Sequence, residues 1–416
     1  MPQAFYRAHG SEIAALAVSA DGRFIASGEN GHRPRVHVWQ ASTVTQVCLL
    51  PEFHRQGIAG LGFSRDGTRC CSVGADADSS SAVWRSADGE WFDGVMEAQA
   101  VGGDKPVNFC HFTEEAADAV GDDRGVYALC SGGVDHVHFW TLAGANLVPC
   151  RALWGAIGKV QTMLCGAPIG TMRFCTGASS GHLYVWKHRQ CEKMIRAHER
   201  AIESCHATSA GLVTGGGDGF VKLWTLQFQH LRSYDLSEAP VPPLSSAVCA
   251  VYSALDPTGM NVTKICVGTK SSEVYEVAKD SGSITLLAEG HHGAETWALA
   301  PHPTDDDVFA SAGDDATVRV WSIGQRRLLR KAKLDTPVRA LAWAPDGKRL
   351  LVGMGGHPSG LRQKKDGAFL LLNAETMQVL FEGRDSRHYI RDAKYSPDGK
   401  SFALASMDHK IYLYDA

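Results

Sequence analysis

Nine strand-like segments in this chain end on an aromatic or large apolar residue, and they recur at a nearly constant interval. The nine anchor residues are Trp39, Trp84, Trp140, Trp186, Trp224, Tyr275, Trp321, Leu372 and Tyr414. Successive anchors are 45, 56, 46, 38, 51, 46, 51 and 42 residues apart. A repeat of roughly 40–50 residues is typical of β-propeller blades, each of which has four strands. The repeat therefore predicts an all-β chain with about nine blade units.

Four Asp-Gly pairs favour strands over helices. They lie between short apolar runs, at Asp21-Gly22, Asp66-Gly67, Asp346-Gly347 and Asp398-Gly399. Asp-Gly between two such runs is a strong hairpin signal, because these residues tolerate the backbone conformations of tight turns. No helical periodicity of convincing length competes with this pattern. We expect a pair of antiparallel strands across each of the four turns.

Two units share a polar pattern in addition to the anchor. The eight residues are His198, Thr214, Asp218 and Trp224 in one unit, and His291, Ser311, Asp315 and Trp321 in the other. In both, Ser or Thr stands four residues before Asp, and Trp follows that Asp by six. An Asp in a tight turn can accept hydrogen bonds from turn amides and from a nearby histidine. The pattern resembles that of WD repeats, and the resemblance implies that the Ser or Thr and the Trp extend this hydrogen-bond network.

The two His–Asp pairs have a structural and a catalytic interpretation. A buried polar network usually fixes structure, and the motif recurs without a common nucleophile. An enzyme would also need a nucleophile, a base and an orienting group together in one pocket, and the sequence shows no such set. We therefore interpret the eight residues as a structural network and expect no enzymatic activity.

Composition argues against several classes of partner. The net charge of −4 and the isoelectric point near 6.5 give no basic footprint for nucleic acid.

The twelve cysteines are scattered, and several fall within strand patterns. Because free cysteine behaves as a small buried apolar residue, we expect a reducing compartment. No apolar run of about 18 residues predicts a membrane span, and the first residues lack the apolar core of a signal peptide. We expect a soluble intracellular protein.

Metal and cofactor motifs are weak. His136 and His138 alternate on a predicted strand beside Asp135, which could place both rings on one face. No Cys or carboxylate cluster completes a metal shell there, so exposed imidazoles are the simpler interpretation. The run Gly215–Gly219 lacks the Gly-Lys-Ser/Thr ending of a phosphate-binding loop and precedes a strand rather than a helix. We expect no metal ion and no cofactor.

Several units are irregular, and their order is informative. The third unit ends on Phe-Trp-Thr-Leu at residues 139–142, the fourth opens at Trp154 without a Gly-His pair, and the sixth ends on Tyr275 instead of Trp. This series resembles the echinoderm microtubule-associated protein-like family over nearly the whole chain. The resemblance implies tandem WD-repeat propellers and binding to tubulin and microtubules in the cytoplasm or cytoskeleton, including the cilium. It places six units of the first propeller in residues 1–284 and three units of the second in residues 285–416.

Two features depart from that family. Its members carry a short hydrophobic motif, and often a trimerising coiled coil, before the propellers, and the propeller pair needs more than nine blades. Neither segment is visible before His9. We therefore expect a partial or divergent member, in which oligomerisation and strong tubulin binding are in question. Closure of the nine units in another way, such as seven plus two, remains an alternative.

A basic insertion is the candidate contact with a partner. The eighth unit contains a long segment, residues 355–366, which carries Arg362, Lys364 and Lys365. Tubulin is acidic, so a loop that contacts it should be basic, although a solvated loop is the simpler interpretation. Four further basic residues in the connection after Trp321 could extend the same surface: Arg326, Arg327, Arg330 and Lys331. The alternative function is a general scaffold in a ciliary or signalling complex, without direct contact with tubulin.

Overall fold

The computed structural model describes residues 6–101, 103, 105–113, 128–170, 173–245, 247–292, 295–356 and 365–416. These residues form 35 strands and one short 3-10 helix at Leu236–Glu238. The prediction of an all-β chain is confirmed. In the described part of the chain, no helix is long and apolar enough to cross a membrane.

The strands group into nine blades in chain order. Blade 1 has β1 (Ile13–Val18), β2 (Phe24–Glu29), β3 (Val36–Gln40) and β4 (Thr45–Leu49). Blade 2 has β5 (Ile58–Phe63), β6 (Arg69–Gly74), β7 (Ser81–Arg85) and β8 (Val95–Ala100). Blade 3 has β9 (Val107–Phe112), β10 (Leu129–Gly133), β11 (His136–Ala143) and β12 (Asn146–Arg151).

The middle blades follow the same scheme. Blade 4 has β13 (Met163–Ile169), β14 (Arg173–Ala178), β15 (His182–Lys187) and β16 (Gln190–Arg196). Blade 5 has β17 (Ile202–Thr208), β18 (Gly211–Gly216), β19 (Phe220–Trp224) and β20 (His230–Asp235). Blade 6 has β21 (Val248–Leu255), β22 (Val262–Thr269), β23 (Glu273–Ala278) and β24 (Ile284–Glu289).

The last three blades complete the described strands. Blade 7 has β25 (Thr296–Pro301), β26 (Val308–Gly313), β27 (Thr317–Ser322) and β28 (Arg327–Lys333). Blade 8 has β29 (Val338–Trp343), β30 (Arg349–Met354), β31 (Ala368–Asn373) and β32 (Val379–Arg384). Blade 9 has β33 (Ile390–Tyr395), β34 (Ser401–Ser406) and β35 (Ile411–Asp415).

Strands that follow one another in sequence are neighbours within each blade. Blades 2 and 3 also join into one eight-stranded sheet, because their last strands, β8 and β12, pair in parallel at Gln99 and Asn146. All nine anchor residues lie on the third strand of their blade, from Trp39 on β3 to Tyr414 on β35. The repeat found in the sequence therefore marks the third strand of each blade.

The four Asp-Gly turns each connect the first two strands of a blade. They join β1 to β2, β5 to β6, β29 to β30 and β33 to β34, and each pair is antiparallel. The glycines at these turns have positive φ angles, 70° at Gly22 and 69° at Gly347, which a residue with a Cβ atom rarely adopts. The predicted strand pairs are confirmed.

The described residues divide into two compact units. The first contains residues 1–269 and 275–285, and the second contains residues 270–274 and 286–416. Within each unit, the apolar core lies between successive blades. Trp84 of blade 2, for example, packs in a cluster with Val38 of blade 1, and Val318 of blade 7 packs in one with Leu370 of blade 8. All twelve cysteines are free thiols. Eight of them are buried, while Cys266 on β22 is exposed.

Candidate functional site

The predicted network in blade 5 is assembled by three segments of the chain. His198 precedes β17, Thr214 lies on β18 and Asp218 lies in the turn before β19. The Nδ1 atom of His198 is 2.9 Å from Oδ1 of Asp218, and its Nε2 atom is 2.8 Å from Oγ1 of Thr214. Trp224 Nε1 donates to the same Oγ1 atom at 3.0 Å. The backbone N–H of Glu199 donates to Asp218 at 2.9 Å. The structure thus brings the four side chains together.

Blade 7 repeats this arrangement. His291 contacts Asp315 Oδ2 through Nδ1 at 2.8 Å and Ser311 Oγ through Nε2 at 2.8 Å. Trp321 Nε1 donates to Ser311 Oγ at 2.6 Å. Thr317 N–H donates to Asp315 Oδ1 at 3.0 Å. The fully buried Arg319 adds a positive charge, since its Nη2 atom is 3.7 Å from Asp315 Oδ2. The two predicted sets of four residues have the same connectivity.

Both aspartates are held in the ionised form. Burial raises the pKa of Asp218 and is the largest single influence on it, but the hydrogen bond and charge of His198, together with the N–H groups of Glu199 and Phe220, outweigh burial and lower that pKa to about 2. Burial opposes ionisation of Asp315 in the same way, while the bonds from His291 and Thr317 lower its pKa to about 2. A carboxylate that accepts several hydrogen bonds in this way holds its turn in one geometry.

The order Ser311–His291–Asp315 has the connectivity of a hydrolase triad. However, Ser311 is only 5% exposed, and its hydroxyl oxygen already accepts the N–H of Trp321. In blade 5, the same position carries Thr214, which is fully buried. A catalytic nucleophile must reach a carbon atom of its substrate. The hydroxyl groups of Ser311 and Thr214 are buried and cannot do so. The arrangement is suited to holding strands together.

Two further networks, in blades 1 and 2, were not predicted from the sequence. In blade 1, His9 Nε2 lies 2.6 Å from Ser27 Oγ, to which Trp39 Nε1 donates at 3.0 Å. In blade 2, His54 Nε2 lies 2.7 Å from Ser72 Oγ, to which Trp84 donates at 2.8 Å. The signal that could have found them is a Ser twelve residues before each anchor Trp, compared with ten in blades 5 and 7.

The acidic position of these two networks is also altered. His9 Nδ1 lies 3.1 Å from Glu29 Oε1, so a glutamate stands where blades 5 and 7 have aspartate. His54 Nδ1 instead contacts Ser80 Oγ at 2.7 Å, and Ser80 in turn donates to Asp76. Burial lowers the pKa of His54 to about 4, so this ring is neutral at pH 7. The network tolerates different acidic partners.

In the described parts of blades 3 and 4, the tryptophan half of the network is present. Trp140 Nε1 donates to Ser131 Oγ at 2.8 Å, and Trp186 Nε1 donates to Thr176 Oγ1 at 3.0 Å. Among the contacts of the described residues, Thr176 Oγ1 bonds to the sulfur of Met163 at 3.3 Å rather than to a histidine. Among the contacts of the described residues, the tryptophan–hydroxyl pair therefore occurs in more blades than the His–Asp pair.

Only part of the basic insertion lies in the described structure. Arg362 and Lys364 fall outside the described residues. Lys365 Nζ lies 3.0 Å from Asp335 and 3.1 Å from Glu382, and the bonds to these carboxylates raise its pKa. A partner that contacted Lys365 would compete with both ion pairs.

The four basic residues after Trp321 have different environments. Arg326 and Arg327 are exposed, whereas Arg330 and Lys331 are partly buried. Lys331 Nζ forms an ion pair with Glu289 at 2.5 Å. The exposed guanidinium groups of Arg326 and Arg327 are the part of this connection that a partner could reach.

The sequence singled out His136 and His138 as a weak metal candidate. Their rings lie 4.9 Å apart on β11, and His136 Nδ1 contacts the backbone oxygen of Val134 at 3.0 Å. Among the described residues, a group of three potential metal ligands occurs elsewhere, at His9, Glu29 and His37 in blade 1. Their ligand atoms lie within 4.8 Å of one another.

Comparison with protein families gives two adjacent matches. Residues 2–277 match the model of the echinoderm microtubule-associated protein first beta-propeller. Residues 296–416 match the model of the second beta-propeller of the same protein. The chain belongs to the echinoderm microtubule-associated protein family. The resemblance that was based on the irregular blades is confirmed.

Individual members of the family align along nearly all of this chain. Human echinoderm microtubule-associated protein-like 2 is 28% identical over 99% of this chain and 60% of its own length. The 77 kDa echinoderm microtubule-associated protein of Lytechinus variegatus is 26% identical over 99% of this chain and 58% of its own length. This member of the family thus spans about three fifths of the length of those relatives.

Among solved structures, Sqt1 of Saccharomyces cerevisiae aligns with 86% of this chain and 95% of its own, at 14% identity and a TM-score of 0.42. That score is too low to bear on the architecture of the chain. The fold assignment rests on the strand pairing and on the two family matches.

Proposed function

We propose that this protein associates with microtubules as a non-catalytic scaffold, through contacts with tubulin. The observation that carries the proposal is the pair of family matches, which together cover most of residues 2–416. The names of the aligned relatives point to microtubule association. The burial of the Ser–His–Asp sets within the sheets supports a non-catalytic role, because a substrate would have to displace the anchor tryptophan.

We also propose that residues 1–284 and 285–416 belong to two different propellers. The matched ranges end at residue 277 and resume at residue 296. The compact units change over in the same region, at residues 285 and 286. The segment just before the proposed boundary, residues 278–283, is rich in small and polar residues and contains the turn between β23 and β24. Limited proteolysis tests the proposal, since a boundary near residue 284 gives two protected fragments that meet there. Protection across this region with cleavage elsewhere contradicts it.

The proposed tubulin contact is the insertion of blade 8, with Arg362, Lys364 and Lys365. Exposed basic side chains attract an acidic surface over distances of about 8–10 Å at physiological ionic strength, and salt weakens this attraction. Lys365 is already paired with Asp335 and Glu382. We therefore expect the single change Lys365→Gln to have less effect on microtubule binding than neutralising all three residues.

Microtubule co-sedimentation over a range of salt concentrations tests the proposal. We expect the protein to co-sediment, with an affinity that falls as salt rises. The triple variant Arg362→Gln, Lys364→Gln, Lys365→Gln should bind more weakly and with a flatter salt dependence. The matched control is Lys187→Gln, Lys193→Gln, Arg200→Gln, which removes three positive charges from exposed positions of blade 4 and its following loop.

The possible outcomes distinguish the proposed contact site, the blade 8 insertion, from the proposed function, microtubule association. If the triple variant of blade 8 binds as well as the parent protein, this insertion is not the tubulin contact. If both triple variants lose the same affinity, net charge rather than a defined surface is responsible. If the parent protein does not co-sediment at low salt, the general scaffold function without direct tubulin contact replaces the proposal.

We further propose that the protein is located in the cytoplasm and on the cytoskeleton. The free state of all twelve cysteines is compatible with a reducing compartment. A tagged protein that follows the microtubule array, and becomes diffuse when microtubules are depolymerised, would support this location. A diffuse distribution in both conditions would contradict the cytoskeletal part.

A further inference from the structure

Blade 1 contains a buried group of two histidines and one glutamate, in which His9 and Glu29 belong to the polar network described above and His37 is a further member. His9 lies before β1, Glu29 is the last residue of β2 and His37 lies on β3. Their side chains are 6%, 7% and 3% exposed, respectively. The rings of His9 and His37 are 4.1 Å apart. In blade 5 one histidine, His198, contacts the aspartate, and His37 is an addition to that arrangement.

His37 has a buried nitrogen without a hydrogen-bond partner. Its Nε2 atom is shielded from solvent, and the nearest acidic atom, Glu29 Oε1, is 3.7 Å away. That distance is too long for a hydrogen bond. A buried polar atom without a partner usually costs about 1–3 kcal/mol. A ligand that accepts the lone pair of this nitrogen would remove the cost.

The other side of the His37 ring indicates which nitrogen carries the lone pair. Its Nδ1 atom lies 3.0 Å from Gln46 Oε1, which only accepts hydrogen bonds, and 2.8 Å from the hydroxyl oxygen of Tyr6. Tyr6 O–H in turn donates to Gln46 Oε1 at 3.0 Å. Both contacts are satisfied when His37 carries its proton on Nδ1. The free lone pair is then on Nε2, which faces Glu29 and His9.

The remaining two groups are also positioned by hydrogen bonds. Glu29 Oε1 accepts the N–H of Gly10 at 2.9 Å, and Oε2 accepts the N–H of Arg35 at 3.2 Å. His9 Nε2 lies 2.6 Å from Ser27 Oγ, which can accept its proton and leave the lone pair on Nδ1. Such outer hydrogen bonds orient metal-binding histidines in known sites.

Two of the three distances between the ligand atoms suit a small divalent ion, and the third, between His9 Nδ1 and His37 Nε2, is within 4.8 Å. Zinc bonds of about 2.0–2.1 Å in tetrahedral geometry place neighbouring ligand atoms roughly 3.3 Å apart. Glu29 Oε1 is 3.1 Å from His9 Nδ1 and 3.7 Å from His37 Nε2. Two neutral imidazoles and one carboxylate are a donor set that zinc accepts, with a fourth position left for water.

We propose that His9 Nδ1, Glu29 Oε1 and His37 Nε2 bind one divalent transition-metal ion, with Zn²⁺ as the ion that this donor set fits best. The ion would connect the segment before β1 to the end of β2 and to β3. Because the three ligands lie on separate segments, 20 and 8 residues apart along the chain, binding would cross-link these segments, stabilise blade 1 and raise its melting temperature. The site is structural in character and independent of microtubule binding.

Zinc titration of chelator-treated protein tests the proposal. Exposed thiols also bind zinc, so the experiment uses a background in which the exposed Cys249 and Cys266 are replaced by serine. We expect one tightly bound Zn²⁺ per chain and a higher melting temperature. With Co²⁺ as the probe, we expect a ligand-field spectrum of low coordination number without thiolate charge-transfer bands. The absence of stoichiometric binding, or the presence of those bands, overturns the proposal.

Three variants locate the ion. His37→Asn removes the Nε2 ligand but leaves an amide near Gln46. We expect zinc affinity to fall at least about 100-fold, which is more than the loss of an outer hydrogen bond usually causes. Gln46→Leu changes an exposed side chain that orients His37, and affinity should fall about 10–100-fold. The control, His230→Asn, removes an exposed histidine of β20 and should bind as the parent does.

The variants keep the proposal falsifiable even if one of them folds poorly. A folded His37→Asn protein with parental zinc affinity overturns it. If His37→Asn does not fold, Gln46→Leu decides, because its side chain is on the surface. Parental affinity in Gln46→Leu, together with parental cobalt spectra, would then place the ion elsewhere.

Discussion

Blades 7 and 8 have the same strand order but hold their third strand in different ways. In blade 7, Ser311 pairs with Leu299 of the first strand, and in blade 8 Val352 occupies the same register opposite Leu341. Trp321 pairs with Phe309 as Leu372 pairs with Leu350. The positions of a hydrogen-bonded Ser and Trp are thus taken by two aliphatic residues. Both Val352 and Leu372 are fully buried.

The difference shows that the third strand of a blade can be held in place either by a polar network or by apolar packing. Blade 7 fixes the third strand with directional bonds, which need every partner to be present. Blade 8 fixes it with apolar burial, which depends on volume and shape. One element persists in both. Asp366 lies two residues before β31, as Asp315 lies two residues before β27, and it accepts the N–H of Gly356 at 3.1 Å.

The largest effect on stability should come from truncating Leu372, the apolar anchor residue of blade 8. Leu372→Ala should lower the free energy of unfolding by about 2–5 kcal/mol, because a fully buried leucine leaves a cavity when it is truncated. Leu380→Ala, on β32 and 55% exposed, is the control and should change stability by less than about 0.5 kcal/mol. Hydrogen exchange should show faster opening of β30 and β31. Equal effects of the two changes would mean that Leu372 is not an anchor.

Removing the acid of blade 7 should have the next largest effect. Asp315→Ala should cost about 1–3 kcal/mol, since it leaves His291 Nδ1 and Thr317 N–H without their acceptor. Asp306→Ala, at an exposed position, serves as the control. Thermal melts in which Asp315→Ala matches the parent protein would contradict the structural role that we assign to this aspartate.

Converting the hydroxyl of blade 7 to the residue of blade 8 tests the comparison directly. Ser311→Val should cost about 1–2 kcal/mol, because Trp321 Nε1 and His291 Nε2 lose the oxygen they share. Replacing the partners as well, in Ser311→Val with Trp321→Leu and His291→Leu, should recover part of that loss. A triple-mutant cycle, made of the three single, three double and one triple variants, measures the coupling through thermal stability. Strict additivity would show that the three residues do not act as a network.

The blades could be predicted from the sequence because their signals are local. Asp-Gly turns and third-strand anchors are read within a few residues, and even Leu372, which replaces an aromatic residue, lies on the expected strand. The parallel pairing of Gln99 with Asn146 could not be predicted, because it depends on how two outer strands approach each other.

The candidate sites were predicted less completely. The network of blade 5 follows a fixed spacing from Thr214 to Trp224. The networks of blades 1 and 2 have a different Ser–Trp spacing and replace the aspartate that contacts the histidine. The cluster of His9, Glu29 and His37 joins three separate segments. None of these three residues lies in a sequence motif that is typical of metal ligands. The role of the blade 8 insertion stays a prediction.

The smallest effect that we predict is a pH dependence specific to blade 7. Asp315 has a pKa of about 2 in the folded protein, against about 3.9 in an unfolded chain. The folded state therefore binds this proton more weakly, and the stabilisation is complete above pH 5 and is lost as pH falls from about 4 to 2. Between pH 5 and pH 3 the loss should be ~1 kcal/mol. Hydrogen exchange of β26 and β27 at these two pH values measures it.

The matched variant for the pH prediction is Asp315→Asn. It keeps the size of the side chain but removes the titrating group, so opening of β26 and β27 should lose about this much of its pH dependence relative to the parent. Opening of β30 and β31 in blade 8 should have the same pH dependence in the two proteins, because Asp315 acts through contacts within its own turn. If the variant leaves the pH dependence of blade 7 unchanged, ionised Asp315 does not stabilise this blade, and the distinction from blade 8 rests on the Ser–Trp pair alone.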